Sequence, residues 1–194
     1  MQGASLTATD LACRRGDRLL FRGLTLSIGA GQTLHVRGPN GCGKTSLLRI
    51  LGGLDAAFAG DIARMGAVGL VGDRDALDPD RTLEQSLAFW AAIDGHAGPS
   101  DVHEMLGLTH IMDVPVGYLS AGQRKRASFA RLLNQRADIW LLDEPLNALD
   151  RAAQVTVLDL MARHCEGGGL CLIASHQPLD LPQLATLDLP DYAP

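Results

Sequence analysis

The chain has 194 residues, of which 46% are hydrophobic, 20% are charged and 4% are aromatic. A globular chain of this length buries roughly 70% of its unfolded surface and needs no disulfide scaffold, so we expect one domain. Seventeen basic and 22 acidic residues give a net charge of −5, which argues against a nucleic-acid partner.

The residue pattern also argues against a disulfide- or zinc-stabilised protein and against a membrane-spanning protein. The four cysteines form neither a C-x-x-C pair nor a metal-like pattern with histidine, so we expect reduced thiols. The sequence contains no window of 18 uncharged apolar residues and no basic-then-apolar signal peptide at its start. We therefore expect no membrane span, and any membrane role would depend on another chain.

Short apolar runs alternate with helical patterns along the chain. The predicted strands are residues 24–28, 33–36, 67–71, 139–143, 170–175 and 185–189. The predicted helices are residues 44–51, 82–93, 101–106, 120–135 and 151–164. Because strands that are apolar throughout are buried on both faces, this alternation predicts an α/β fold with a mostly parallel sheet.

One long segment departs from this alternation. Residues 75–136 read almost entirely as helix, with breaks at glycine and proline. This predicts a helical lobe inserted into a single domain, whose sheet core is formed by residues 1–74 and 137–194.

The segment GPNGCGKT at residues 38–45 matches the phosphate-binding pattern G-x-x-x-x-G-K-[ST] in full. It follows a predicted strand and precedes a predicted helix, where backbone N–H groups can cradle phosphates. Lysine in this pattern reaches the β- and γ-phosphates, and threonine places its hydroxyl on Mg²⁺. The predicted nucleotide-binding residues here are Gly38, Pro39, Asn40, Gly41, Cys42, Gly43, Lys44, Thr45 and Ser46.

A second chemical motif is the apolar run Ile139–Asp143 followed by Glu144. A strand that carries aspartate to the carboxyl edge of a parallel sheet beside a phosphate-binding loop supplies the second metal-binding side chain. We expect Asp143 to bind Mg²⁺ together with Thr45. Glu144 is expected to accept a proton from the attacking water or to orient it.

The order of three further motifs distinguishes between classes of P-loop nucleotide-binding protein. LSAGQ, at residues 119–123, lies about twenty residues before Asp143; NALD follows at 147–150; His176 ends a predicted strand. This arrangement resembles the signature motif, D-loop and switch histidine of ATP-binding-cassette (ABC) ATPases. A P-loop kinase would leave the signature segment unexplained.

The resemblance to ABC ATPases implies more than the residues alone do. It implies a P-loop NTPase fold with an N-terminal antiparallel β part, ATP and Mg²⁺ as ligands, and a catalytic role for His176. Two copies are expected to face head to tail, so that Ser120, Gly122 and Gln123 of one copy contact the nucleotide of the other. A second copy of the chain is thus an implied partner.

Shorter features resemble one subfamily. Ala121, the basic stretch Arg124-Lys125-Arg126 and SHQPL at 175–179 are similar to the CcmA family, the haem-exporter ATPase subunits of cytochrome c maturation. That resemblance implies membrane partners of the CcmB and CcmC type and a place on the cytoplasmic face of the inner membrane. It leaves open whether haem is moved or a haem-loaded chaperone is released. An ATPase subunit of another small exporter, or a soluble ABC protein acting on ribosomes or DNA, remains an alternative.

Two positions depart from the ABC pattern. After the strand at 67–71 the chain has GDR at 72–74, where the family usually has a glutamine that contacts Mg²⁺ and water. Arg74 cannot accept a hydrogen bond or coordinate a cation, although Asp73 could. In addition, residues 13–17 contain no aromatic side chain for the adenine, so Arg14 or Arg15 could stack there instead.

Overall fold

Two sheets form the body of the protein in the computed structural model, which describes residues 3–72, 74–95, 101–181 and 184–194. The strands are β1 (Ser5–Arg15), β2 (Arg18–Gly29), β3 (Thr33–Arg37), β4 (Ala59–Met65), β5 (Val68–Val71), β6 (Ile139–Asp143), β7 (Leu170–Ala174) and β8 (Leu184–Asp188). One sheet is three-stranded and antiparallel, in the order β2-β1-β4, and the other is five-stranded and parallel, in the order β5-β6-β7-β3-β8.

The helices connect and flank these strands. They are α1 (Lys44–Leu51), α2 (Leu83–Asp94), α3 (Val102–Met105), α4 (Ala121–Gln135) and α5 (Arg151–Glu166). Short 3₁₀ turns cover Thr109–Ile111, Val116–Tyr118 and Leu189–Tyr192. The described residues between β5 and β6 contain helices and 3₁₀ turns and no strand.

The parallel sheet separates two apolar clusters because neighbouring residues of one strand point to opposite faces. In β6, Ile139 and Leu141 pack with α1 and the antiparallel sheet, whereas Trp140 and Leu142 pack with α4, α5 and the rest of the helical segment. Both faces are therefore covered, which explains why β6 and β7 are apolar throughout and fully buried.

The predicted α/β fold with a mostly parallel sheet is confirmed. The residue pattern alone predicts neither β1 nor β4, and it predicts only the second half of β2. β4 is an edge strand in which six of seven residues are exposed, so it lacks the apolar pattern that identifies a strand. β1 changes register with β2 at three points, which breaks the alternation that a regular strand would show.

His164 on α5 makes stability depend on pH. Its ring stacks on Trp140, with centroids 3.9 Å apart and planes 8° apart, and its Nε2 lies 3.1 Å from the carbonyl oxygen of Asp138. Burial lowers the pKa of His164 below its ordinary value of 6.5, although the backbone contacts oppose that shift. As pH falls through about 6.5 the unfolded chain takes up a proton that the folded chain resists, so stability falls.

We expect a His164→Gln variant to lose less thermal stability than the wild type between about pH 7.5 and about pH 5.5. Its melting temperature at the two pH values is the measurement. His110→Gln, which changes an exposed histidine, is the matched control and should show the wild-type dependence. An unchanged pH dependence in His164→Gln would contradict the assignment.

Candidate nucleotide-binding site

The loop between β3 and α1 depends on glycine. Gly38, Gly41 and Gly43 have φ values of 149°, 79° and 115°, which lie in the region that other residues rarely adopt. A Cβ atom on Gly43 would also lie 3.2 Å from the ring of Phe21. These glycines let the backbone turn sharply at the N-terminus of α1, where N–H groups can bind an anion.

Lys44 begins α1, and its side chain folds back over the loop. Its Nζ donates hydrogen bonds to the carbonyl oxygens of Gly38, at 2.7 Å, and Pro39, at 3.3 Å. The residue is only 7% exposed, so the ammonium is held beside the loop rather than free in solvent. An ammonium has three donors, so it can retain these contacts while it reaches a phosphate oxygen.

Thr45 and Asp143 meet at the carboxyl edge of the parallel sheet. The Thr45 hydroxyl donates to Asp143 Oδ2 at 2.5 Å, and Asp143 is 4% exposed. A hydroxyl and a carboxylate are hard oxygen ligands that suit Mg²⁺. No group of three or more histidine, cysteine or acidic residues that could hold a metal ion occurs in the described part of the chain. Mg²⁺ held by one or two protein side chains takes its remaining ligands from water and substrate phosphates.

Glu144 follows β6 in a strained backbone conformation, with φ of 45°. Its N–H donates to the carbonyl oxygen of Ala174, at 2.8 Å, at the end of β7. Its Oε2 lies 3.0 Å from Nδ1 of His176. This contact does not have the geometry of a hydrogen bond. The buried Oε2 accepts no hydrogen bond from the described residues.

A groove of about 510 Å³ runs along the phosphate-binding loop. Its lining includes Arg15 and Arg18, at the β1–β2 turn, together with Asp143 and Glu144. The loop residues between them include Asn40, Gly41, Gly43, Lys44, Thr45 and Ser46. The groove therefore joins the phosphate-binding loop to both carboxylates predicted from the sequence.

The two arginines considered for adenine stacking have different neighbours. The Arg14 guanidinium lies over the ring of Phe58, 4.6 Å from its centroid. Arg15 donates to Ser46 Oγ at 3.2 Å and forms an ion pair with Asp55 at 2.7 Å. Arg15 borders the groove, whereas Arg14 already stacks on a side chain of the same protein.

The LSAGQ segment begins α4 with a capping box. Ser120 Oγ accepts from the N–H of Gln123 at 3.2 Å, and Gln123 Oε1 accepts from the N–H of Ser120 at 2.8 Å. A Cβ atom on Gly122 would lie 2.5 Å from the carbonyl oxygen of Ala148, so the NALD loop packs closely on this helix start. None of Ser120, Gly122 and Gln123 is among the described residues that line the groove of their own chain.

The NALD loop also contacts the region of His176. Gln177 Nε2 donates to Asn147 Oδ1 at 3.2 Å, and Asp150 caps α5 by accepting from the N–H of Ala153 at 2.8 Å. The NALD loop therefore contacts two other parts of the chain, the start of α4 on one hand and the segment after β7 on the other.

We expect Gly122→Ala to disturb this packing because the new methyl group cannot fit against Ala148. Overpacking of this kind costs about 1–3 kcal/mol, so the melting temperature should fall by several degrees. Ala121→Ser, at the exposed preceding position, is the matched control and should melt close to the wild type. Equal melting temperatures for Gly122→Ala and the wild type would show that the contact relaxes without cost.

The segment after β5 connects the site to α4. Lys125 Nζ donates to the carbonyl oxygen of Gly72 at 3.3 Å, and Arg124 Nε lies 3.5 Å from Asp75 Oδ2. Arg74 lines a cavity of about 650 Å³ that also reaches Thr45 and Asp143. Asp73 lies outside the described residues.

Comparison with known proteins agrees with this geometry. Residues 21–147 match the family model described as ABC transporter. A relative from Novosphingobium aromaticivorans named "Cytochrome c biogenesis ATP-binding export protein CcmA" is 50% identical over the whole of both chains. A relative of the same name from Zymomonas mobilis is 43% identical over 97% of this chain and 86% of its own.

The chain belongs to the ABC transporter family.

Solved structures show the same fold. An ABC transporter ATP-binding protein from Pyrococcus furiosus superposes with a TM-score of 0.83 over 98% of this chain and 100% of its own, at 23% identity. An inward-facing metal-chelate type ABC transporter matches with a TM-score of 0.76 over 91% of this chain and 75% of its own, at 26% identity. The fold and family predicted from the motifs are thereby confirmed, and the chain is an ATP-hydrolysing enzyme of the ABC class.

No helix of the described residues is both long enough and apolar enough to cross a bilayer.

Proposed function

We propose that the chain is the ATPase subunit of an ABC complex that powers haem delivery for cytochrome c biogenesis. The observation that carries this proposal is the 50% identity, over the full length of both chains, with a relative named as a cytochrome c biogenesis export protein. The groove adds support because it joins a complete phosphate-binding loop to Asp143 and Glu144.

Nucleotide binding begins with the loop at residues 38–46. Its backbone N–H groups at the start of α1 surround the β- and γ-phosphates of ATP, and Lys44 adds a positive charge beside them. Thr45 and Asp143 are the side chains that would hold Mg²⁺. When bound, Mg²⁺ neutralises charge on the phosphate oxygens.

Glu144 and His176 act at the γ-phosphate end of the groove. Glu144 lines the groove, and its Oε2 accepts no hydrogen bond from the described residues, so the carboxylate keeps the capacity to accept one from a water molecule bound in the groove. It orients that water for in-line attack and takes its proton. His176 lies beside the same carboxylate, with Nδ1 3.0 Å from Oε2, and in this proposal its ring N–H binds the γ-phosphate.

A second copy completes the site. The first N–H groups of an α-helix have no partner within the helix, and the capping box satisfies that of Gln123 through the Ser120 hydroxyl. The N–H groups of Ala121 and Gly122 remain as donors at a positive helix end, which suits a phosphate. The family shown by the comparisons implies a head-to-tail pair of copies, in which Ser120, Gly122 and Gln123 bind the γ-phosphate held by the other copy.

The conformational cycle acts on membrane subunits. We place the chain peripherally on the cytoplasmic face of the inner membrane, with partners of the CcmB and CcmC type. Gly72 and Arg74 line the cavity beside Thr45 and Asp143, and Gly72 and Asp75 contact side chains of α4. The segment that carries these residues is the route by which closure on ATP reaches those partners.

The test is a haem stain of c-type cytochromes in a strain that lacks the chain. The strain is complemented with the wild-type chain or with Lys44→Ala. Loss of holo-cytochromes, with rescue by the wild type alone, is the expected result. Holo-cytochromes that persist in the deletion strain would exclude this pathway and leave another small exporter as the function.

A further inference from the structure

The groove lacks an aromatic surface for the base of the nucleotide. The γ-phosphate belongs beside Glu144, and the β1–β2 turn is a separate element that borders the same groove through Arg15 and Arg18, so we place the base beside that turn. None of the described residues that line the groove is aromatic. Phe21, the nearest aromatic residue in sequence, is 0% exposed and packs beneath Gly43. Within one copy, the described lining residues therefore offer the base guanidinium groups and no aromatic ring.

Tyr118, unlike the buried Phe21, is an aromatic residue whose side chain is exposed to solvent. It is 85% exposed and lies two residues before Ser120, at the end of the 3₁₀ turn Val116–Tyr118. Its backbone is held in place, because its N–H donates to Pro115 and the N–H of Gly117 donates to Pro79, both at 3.0 Å. Leu119, the next residue, is 3% exposed. The ring is thus presented to solvent from an anchored turn.

We propose that Tyr118 of one copy stacks on the adenine of the ATP held by the phosphate-binding loop of the second copy. This inference rests on the head-to-tail arrangement of the proposed function, which places Ser120 at the γ-phosphate of the other copy. Two residues of extended chain span about 7 Å, and the tyrosine side chain adds its own length to that reach. The ring is then close enough to the γ-phosphate position to reach the base of the same nucleotide.

The two copies enclose the base from opposite sides. Arg15, held by Ser46 and Asp55, and Arg18 contribute guanidinium groups from the copy that holds the phosphates. Tyr118 contributes an aromatic face from the other copy. Stacking on an aromatic side chain and on a guanidinium group both suit the π-surface of a purine. The base site is therefore complete only in the dimer.

The first test compares Tyr118→Ala with Tyr118→Phe, each in a Glu144→Gln background that prevents turnover. The ATP concentration at half-maximal dimer formation is measured by light scattering. We expect Tyr118→Ala to raise it about tenfold, the loss typical of one removed base stack, and Tyr118→Phe to leave it near that of the background protein. ADP binding to the monomer, measured by calorimetry, should be equal in all three proteins because the ring acts from the second copy.

A mixed-dimer test separates action in trans from action within one copy. All copies carry Glu144→Gln, and dimers form between a trace donor-labelled copy with an intact phosphate-binding loop and an excess of acceptor-labelled Lys44→Ala copy. When Tyr118→Ala is in the donor copy, the intact loop still faces Tyr118 of the other copy. When Tyr118→Ala is in the Lys44→Ala copy, that loop has lost its tyrosine. We expect the second pair to need about tenfold more ATP than the first.

The outcomes separate this proposal from the function on which it rests. The reverse order of ATP requirement, or equal requirements in both pairs, would overturn the assignment of Tyr118 and leave the head-to-tail ATP site intact. If the Glu144→Gln protein with Tyr118 forms no dimer with ATP, the head-to-tail site is itself wrong, and this proposal falls with it.

Discussion

A Glu144→Gln variant is expected to bind ATP normally and to hydrolyse it about 10²- to 10⁴-fold more slowly, the range that one general base contributes. The amide keeps the size of the side chain but cannot take a proton from water. The dimer closed around ATP should then accumulate, because hydrolysis is the step that reopens it. Phosphate release in a single turnover and the elution volume with ATP on a sizing column measure the two effects.

Glu166→Gln supplies the matched control for this charge change. Glu166 is an exposed glutamate at the end of α5, and its substitution should leave turnover at the wild-type rate. Undiminished phosphate release from Glu144→Gln would remove Glu144 from the role of general base. Because the proposed function couples hydrolysis to membrane subunits, the assay is run with those proposed partners present.

The second large effect is expected from Lys44→Ala, which should weaken ATP binding about 10- to 100-fold. A hydrogen bond to a charged group contributes about 1.5–3 kcal/mol, and Lys44 is the cation that the carbonyl oxygens of Gly38 and Pro39 hold beside the loop. Without the ammonium, those carbonyl oxygens would also face the phosphates unscreened. Titration with ATP and ADP by calorimetry measures the loss.

Arg22→Ala is the control for removal of a positive charge. Arg22 is exposed on β2 and lies outside the residues that line the groove. The two variants have the same net charge, so any difference between them reports on position. Equal ATP affinities for Lys44→Ala and Arg22→Ala would show that Lys44 does not contact the nucleotide.

Much of the site could be predicted from the sequence because its parts are local. The segment at 38–45 fixes a loop and the start of a helix by its own glycines, and the apolar run at 139–143 delivers Asp143 to the sheet edge by its own pattern. α4 follows the same rule: its start is specified by the capping box of Ser120 and Gln123. The contact between Thr45 and Asp143 then follows from the parallel order of the strands.

Features set by distant contacts could not be predicted. β4 exists because it pairs with β1, and its exposed residues carry no strand pattern of their own. Arg14 was open to a role at the base because the sequence does not show that Phe58 lies beneath it. The exposure of Tyr118 and the close packing of Gly122 on Ala148 likewise depend on segments far apart in the chain.

The backbone conformation at Glu144 places the proposed catalytic carboxylate at a position that lowers the stability of the fold. A φ of 45° at a non-glycine residue costs on the order of 1–2 kcal/mol relative to glycine. Glycine would adopt this turn without strain, but it would supply no carboxylate. Laboratory evolution for heat resistance alone would therefore favour replacing Glu144, and on the role proposed for this residue it would yield a more stable protein that hydrolyses ATP far more slowly. Any engineering of a more robust variant should hold this position fixed and seek its gains elsewhere.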